Sequence, residues 1–541
     1  MNPDSNSTLT VTMLPFLLLY LYVCHALSPD PTVTSPSGKY RGTTLTSPAG
    51  LIYNAFLGIP FALPPTGALR FAKPVPYPHI RGIYDAIHTG PVCIQPLGVD
   101  LGAPADENCL YLNVYVPKTP GKLKKVLVYI HGGAYFLGSA NEQVPGDFVS
   151  QNDVIVVTFN YRLSYLGFLK GNCSEYPGNQ GFWDQILALR WVKDNIRSFG
   201  GDADDITVAG ESAGSESISA LSITRQARHF FRKAIMLSGT VFSNLYSLNN
   251  GDEIVRNSLA NTVGCKSQDP SKRFHCLQSL PASSYVLPVA LNLRTLLVSV
   301  DGELFPAPIA QLVKNTSYLK EVGFFERDYL VSSVSNEGAI VLHGVFASGL
   351  DPKNVTASQL SQVIPQPVST IQTMLDFYSS LDLPFLPLYA ILGDLVFTIP
   401  ELNLLRIFSS QATSHKAYYM RFNYFPTYLP PLLKGFPHSF DLCYLFDLRP
   451  RDLLTLYYHL ETNSSFQLTD VRMKIRYMRI IKDFMCSGNP GVSLSKDLNI
   501  TWRPYDGQSE NFLEFSDKPA VLQHPINQRK NFWHTQFNDN L

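Results

Sequence analysis

The sequence predicts an α/β fold: a central, mostly parallel sheet covered by helices, with large helical and loop insertions. Three observations carry this. Short runs of continuous apolar character, Val126 to Ile130, Val154 to Phe159, Ile206 to Ala209 and Ala234 to Leu237, read as strands buried on both faces. Between Trp183 and Phe199, the residues Trp183, Ile186, Leu187, Trp191, Val192 and Ile196 recur at three- and four-residue spacing, the period of an amphipathic helix. The 541 residues are 45% hydrophobic and 16% charged, a globular composition with enough apolar material for a large core.

Taken in order, residues 28 to 92 mix Pro, Gly and Thr with short apolar segments and read as short strands and irregular surface. The strand and helix alternation then runs from 126 to 237, with a second helix over residues 215 to 223. Tyr329 to Val334 reads as a further strand, Ala339 to Leu342 as the start of the next segment, and Tyr418 to Phe425 as a late aromatic strand. Residues 240 to 320 and 345 to 415 keep no clean period and read as the insertions. Val471 to Phe484 is a basic amphipathic helix carrying Arg472, Lys474, Arg476, Arg479 and Lys482, read as a solvated face rather than a membrane surface.

Lys plus Arg number 43 and Asp plus Glu number 43, so no net field favours nucleic acid or anionic membrane. Met13 to Cys24 is an apolar run followed by the small Ala26, the pattern of a signal peptide over residues 1 to 26, leaving 27 to 541 as one domain. Residues 1 to 12 contain Asp4 and no Lys or Arg, which keeps an uncleaved anchor as the alternative. No second apolar stretch is expected to span a bilayer, and the tail from Asn527 to Leu541 is polar. Secretion or residence in the secretory lumen makes Asn172, Asn315, Asn354 and Asn463 glycosylation acceptors. Loss of Cys24 leaves an odd number from the eight cysteines. Cys93 pairs with Cys109 and Cys265 with Cys276, each close in sequence around a loop. Cys173, Cys443 and Cys486 remain as buried thiols, or as one further bridge and a free thiol. No cysteine spacing fits a structural zinc site.

Gly210-Glu211-Ser212-Ala213-Gly214 lies between a strand and a helix, the context of a nucleophile elbow. Its glycines let the backbone reverse, and the helix N-terminus adds N–H groups near Ser212. A serine hydroxyl needs a base to take its proton and donors for the oxyanion. His131-Gly132-Gly133-Ala134 follows a strand and offers Gly132 and Gly133 as donors, with Ala213 completing the set; the alternative reading of these glycines is a tight turn. His131 itself is expected to fix that loop. In the order serine, acid, histidine, Glu337 follows the strand at 329 to 334, and His438 lies among turn residues in Phe436-Pro437-His438-Ser439. His343, within a helical segment, is another histidine. Spacing alone leaves His438 open between a base and a structural role.

The chain resembles the type B carboxylesterase and cholinesterase family over nearly its whole mature length. The segments that carry this are Phe56 to Ala62, Glu107 to Val114, His131 to Ala134, Asn160-Tyr161-Arg162-Leu163, Phe199-Gly200-Gly201-Asp202 and Gly210 to Gly214. The resemblance implies an α/β-hydrolase fold and hydrolysis of carboxylic esters through an acyl-enzyme. It matches Ser212 to the nucleophile, Glu337 to the acid and His438 to the base, and Gly132, Gly133 and Ala213 to the oxyanion donors. It also matches Cys93–Cys109 and Cys265–Cys276 to the first two family disulfides.

Three small residues depart from the family pattern: Ser439 and Ser164 replace usual glycines, and Ser215 stands where Gly or Ala is usual. Between Cys93 and Cys109 there is no aromatic residue, whereas cholinesterases place there a tryptophan that holds choline by cation–π attraction. Trp183 and Trp191 are expected in the core, and after Ser238-Gly239 only Phe242 and Tyr246 offer acyl-side aromatics. The expected substrate is a small-molecule carboxylic ester with water as co-reactant and no metal or organic cofactor, and homo-oligomerisation is left open. The competing class is a non-catalytic adhesion or recognition protein on the same fold.

Overall fold

A computed structural model describes residues 30–537 apart from 96–102, 171–177, 243–258, 287–297, 342–352, 362–363, 365, 413, 431–432 and 459–465. The leader, Asn172, Asn463, Cys173, Tyr246 and His343 lie outside the described residues.

Among the described residues, eleven strands form one sheet: β1 (Thr43–Thr46), β2 (Ile52–Pro60), β3 (Tyr111–Pro117), β4 (Lys124–Ile130), β5 (Ile155–Phe159), β6 (Gly201–Glu211), β7 (Lys233–Leu237), β8 (Asp328–Val334), β9 (Ala417–Phe422), β10 (Phe512–Phe515) and β11 (Ala520–Leu522). Their spatial order is β11-β10-β9-β8-β7-β6-β4-β5-β3-β2-β1. The block from β5 through β4 and β6 to β10 is parallel, while β3, β2, β1 and β11 add antiparallel edges. This is the α/β-hydrolase fold, with helices on both faces and helical insertions.

The predicted strands are present: β4, β6, β7 and β8 begin before their apolar runs, β5 begins one residue later than expected, and β9 ends at Phe422 rather than Phe425. β6 begins at Gly201, where a shift of register accommodates the polar stretch before Ile206. The short edge strands β10 and β11 have no clear sequence signal. Core residues alternate between the faces as strand geometry demands: Val126, Val128 and Ile130 pack on one side, Leu127 and Tyr129 on the other.

Helix α1 (Gln180–Asn195) carries Trp191 in the core, while Trp183 is partly buried beneath Lys73, 4.0 Å above its ring. Helix α2 (Ala213–Ser222) is buried throughout. The helical stretch Pro387–Ser409 is long and apolar enough to cross a membrane by length and composition alone. It is almost wholly buried, with Ile391, Leu404 and Leu405 inaccessible, so its apolar character serves the core. The basic helix α3 (Leu468–Ser487) buries Tyr477, Ile480, Ile481 and Phe484, and Arg479 on its other side pairs with Asp497. The polar tail is helical over Asn527–Phe537, docked through buried Trp533, whose indole N–H donates to Tyr378 Oη at 2.6 Å.

Register decides where the chemistry gathers. Gly210 is level with Ile130 and Met236, and Leu237 is level with Ser332. The residues that follow β4, β6, β7 and β8 therefore emerge together at the carboxyl edge, the usual position of a ligand crevice in a parallel sheet.

Candidate active site

Ser212 sits between β6 and α2 with φ 56° and ψ −124°, a backbone conformation that side-chain-bearing residues rarely adopt. Its N–H donates to Leu237 O at 2.8 Å, and its carbonyl accepts from Glu216 N at 2.9 Å. Gly210 and Gly214 admit this turn because a Cβ on Gly210 would strike the Gly214 backbone, and one on Gly214 would strike Ile130 O.

Gly132 lies directly against the elbow. A Cβ there would come within 3.1 Å of Ser212 Cβ and 2.7 Å of Glu211 O. Gly133, at φ 98°, opens a turn whose carbonyl accepts from Phe136 N and Leu137 N, and Ala134 and Tyr135 also have positive φ. His131 braces the turn. Its ring stacks on Tyr161 at 4.4 Å and its Nδ1 lies 2.9 Å from Gly132 O, while Tyr161 Oη donates to His131 O at 2.9 Å. Burial holds the His131 imidazole down at about 4, so near neutrality it is an uncharged brace. Arg162, next to Tyr161, is locked by a buried two-pronged pair with Asp184 of α1, at 2.8 and 2.7 Å.

Glu337 and His438 come from segments a hundred residues apart and meet with Glu337 Oε2 2.6 Å from His438 Nδ1. Both are buried. The other carboxylate oxygen of Glu337 accepts from Ser238 Oγ and from Val334 N, each at 2.7 Å. An isolated parallel bridge between Asn336 and Pro437 ties the two segments together. The ring of Phe397 covers the imidazole at 4.6 Å between centroids. Tyr458 Oη donates to His438 O at 2.9 Å.

The other imidazole nitrogen faces a second carboxylate. His438 Nε2 lies 3.1 Å from Glu211 Oε1, and the described hydrogen bonds include none between Ser212 Oγ and Nε2. Burial disfavours the imidazolium, but Glu211, Glu337 and Asp441 outweigh it and hold His438 up at about 9. Burial likewise pushes Glu216 up to about 8 and Asp441 up to about 7, and raises Glu211 above the ordinary carboxyl range.

The carboxylesterase family model matches residues 29–533 of this chain. The chain belongs to the carboxylesterase family. It is 38% identical over 275 residues to Acetylcholinesterase-1 of Trittame loki, covering 47% of this chain and 49% of that protein. It is 36% identical over 317 residues to Carboxylesterase 3 of Homo sapiens, covering 55% of each. In these alignments the chain spans about half the length of the curated relatives it matches. Pyrethroid hydrolase Ces2a of Mus musculus is 28% identical over 558 residues, 97% of this chain and 95% of that protein.

Within this carboxylesterase-family chain, both disulfides read from the sequence are formed, Cys93–Cys109 and Cys265–Cys276. Cys443 is a buried free thiol as expected, whereas Cys486, expected to be buried, is exposed near the end of α3, and no bridge joins the two. Asn315 and Asn354 are exposed, and Asn315 also caps a helix by accepting from Tyr318 N at 3.0 Å. A further acceptor sequence, Asn499-Ile500-Thr501, begins at an exposed residue with φ 56° that sequence reading passed over. Phe242 packs its ring on Phe324, 6.1 Å between centroids.

The three serine departures have distinct physical roles. Ser164 and Ser439 sit at φ 57° and 68°, in the left-handed region that explains why glycine is usual there. Ser215 has no such backbone demand; its hydroxyl donates to Gly239 O at 2.6 Å. Sequence reading missed Ser238, Phe397, Glu216 and Asp441. Ser238 had a signal, its place directly after the apolar run of β7, and Asp441 had another, its place three residues after His438 in His438-Ser439-Phe440-Asp441.

Proposed function

We propose that the protein is a serine hydrolase of carboxylic esters in the secretory pathway or outside the cell, working through an acyl-enzyme on Ser212. The observation that carries this is the buried 2.6 Å contact between Glu337 and His438 at the strand edge where Ser212 turns against Gly132. The strained backbone at Ser212 adds support, since such conformations persist where surrounding structure enforces them, typically at functional sites.

In this mechanism His438 takes the Ser212 proton through Nε2 as the hydroxyl attacks the ester carbonyl, and Glu337 orients the ring and stabilises the imidazolium through Nδ1. The N–H groups of Gly132, Gly133 and Ala213 receive the oxyanion. His438 returns the proton to the leaving alcohol, the acyl group stays on Ser212, and water activated by the same nitrogen releases the acid. None of these steps needs a metal or organic cofactor.

The substrate is a small neutral ester. Two relatives are named as carboxylesterase and pyrethroid hydrolase, whereas the relative named as an acetylcholinesterase matches under half of this chain. The segment between Cys93 and Cys109 has no aromatic ring to face a quaternary ammonium, an attraction worth roughly 2 kcal/mol or more when desolvated.

The test is turnover of short p-nitrophenyl esters beside acetylthiocholine, with intact-mass detection of an organophosphate adduct that Ser212→Ala abolishes. Preference for acetylthiocholine would overturn the substrate class. Neither adduct nor turnover would overturn the enzyme reading in favour of a recognition protein.

A further inference from the structure

Ser439 combines two features that seldom coincide without a function. Its backbone is left-handed, φ 68° and ψ −5°, where a side chain is a burden and glycine is at ease. Its hydroxyl, buried with the residue, donates to Glu211 Oε1 at 2.6 Å. That same oxygen is the atom 3.1 Å from His438 Nε2. Glu211 therefore faces the imidazole nitrogen that Ser212 needs, and it is held there by the residue next to the histidine.

We propose that Ser439 is a positioning residue whose hydroxyl fixes Glu211 against His438 Nε2, keeping the imidazole in a resting arrangement clamped by carboxylates at both nitrogens. The proposal rests on the reading of His438 as the base. In the resting arrangement Nε2 carries a proton and donates it to Glu211. In the working arrangement Nε2 is unprotonated and accepts from Ser212 Oγ. Passage between them releases one proton to solvent and exchanges one hydrogen bond for another, with no covalent step. The clamp sets the pH at which the base becomes available.

The groups around the ring fit such a clamp. Glu337 holds Nδ1 from the turn after β8, Glu211 faces Nε2 from the end of β6, Asp441 follows on the same turn as Ser439, and Glu216 acts from α2. Phe397 covers the ring with an apolar face. Among the described residues no Lys or Arg pairs with Glu211, Glu337, Glu216 or Asp441, so His438 is the cation this cluster holds. Removing the Ser439 hydroxyl leaves Glu211 free to turn away and weakens only one of the two clamps.

The experiment compares the full-length protein with Ser439→Gly, Ser439→Ala and Glu211→Gln by NMR titration of labelled histidine, with His438→Gln to assign the resonance. The proposal expects the His438 midpoint to fall in all three variants, by up to about one pH unit for Ser439→Gly. On the acid side a one-unit fall raises the fraction of neutral imidazole about tenfold, and kcat/KM for a p-nitrophenyl ester follows it. A purely structural role would change thermal stability and leave the midpoint where it is. Because Ser439→Gly relaxes the backbone, it is expected to fold. An unchanged midpoint in both Ser439 variants overturns the clamp. Absence of ester turnover with a shifted midpoint overturns the enzyme reading and leaves the clamp standing.

Discussion

The two edges of the parallel sheet handle charge in opposite ways. At the amino edge, Asp205 is held between Lys125 and Lys233, Arg228 pairs with Glu326, and Asp204 takes Lys193 and Arg197. These partners keep Asp205 below the ordinary carboxyl range even though burial opposes them. At the carboxyl edge, Glu211, Glu216 and Asp441 are buried, lack Lys or Arg partners among the described residues, and are pushed up. A surface cleft of about 620 Å³ of open space, lined by Lys193, Arg228, Arg232 and Arg327, lies at the amino edge. Lys193 and Arg228 of the cleft are already paired, whereas the acids at the carboxyl edge have no such ion pairs among the described residues.

The sharpest break between the edges is expected from Ser212→Ala. It should lower kcat for a p-nitrophenyl ester by roughly 10⁴-fold or more, since single losses within a triad cost about as much as losing the set. The melting temperature should hold, because the variant removes no buried partner. A variant that keeps more than a tenth of the parent rate would move the nucleophile elsewhere. The next largest effect is in pH. With His438 held up at about 9, kcat/KM should rise about tenfold per unit as pH climbs toward that value, and an acid limb centred at the ordinary histidine value would contradict the double-carboxylate environment.

Much of this was legible in the sequence, and the reason is local. The apolar runs of β4, β5, β6 and β7 mark strands buried on both faces, and Gly210 and Gly214 mark a turn that only small residues permit. What escaped was relational. That Glu211 would face His438 Nε2 depends on two segments 228 residues apart meeting through the Ser439 hydroxyl, and no spacing encodes that. Phe397 was hidden for another reason: it lies on a π-helical turn, Asp394–Thr398, inside an otherwise apolar stretch whose period gives no special position to one ring. The same stretch has the length and apolarity of a membrane span while lying in the core, because burial in a large core and burial in a bilayer select similar residues.

The amino edge should answer to a different measurement. Asp205→Asn leaves the buried Lys233 ammonium with a weaker partner, and a stability loss of about 1 to 3 kcal/mol is expected from chemical denaturation, with kcat unchanged. The sign in pH follows from the depressed carboxyl: its contribution is present above the unfolded value near 3.8 and is lost as pH falls through the lower folded one. A loss of turnover without loss of stability would erase the division of labour between the edges.

The smallest expected effect tests the carboxyl edge by stability alone. Glu216 is buried and pushed up from 4.5 to about 8, so the folded protein keeps a proton there that the unfolded chain has released. Its stabilising contribution is complete below 4.5 and is lost as pH rises through about 8, opposite in sign to Asp205. Glu216→Gln preserves the shape of the neutral acid and cannot ionise. The variant should therefore melt close to the parent at pH 5 and above it at pH 9, and equal melting at both would mean that Glu216 shares its proton with no folded-state cost, leaving His438 alone to account for the alkaline loss of stability.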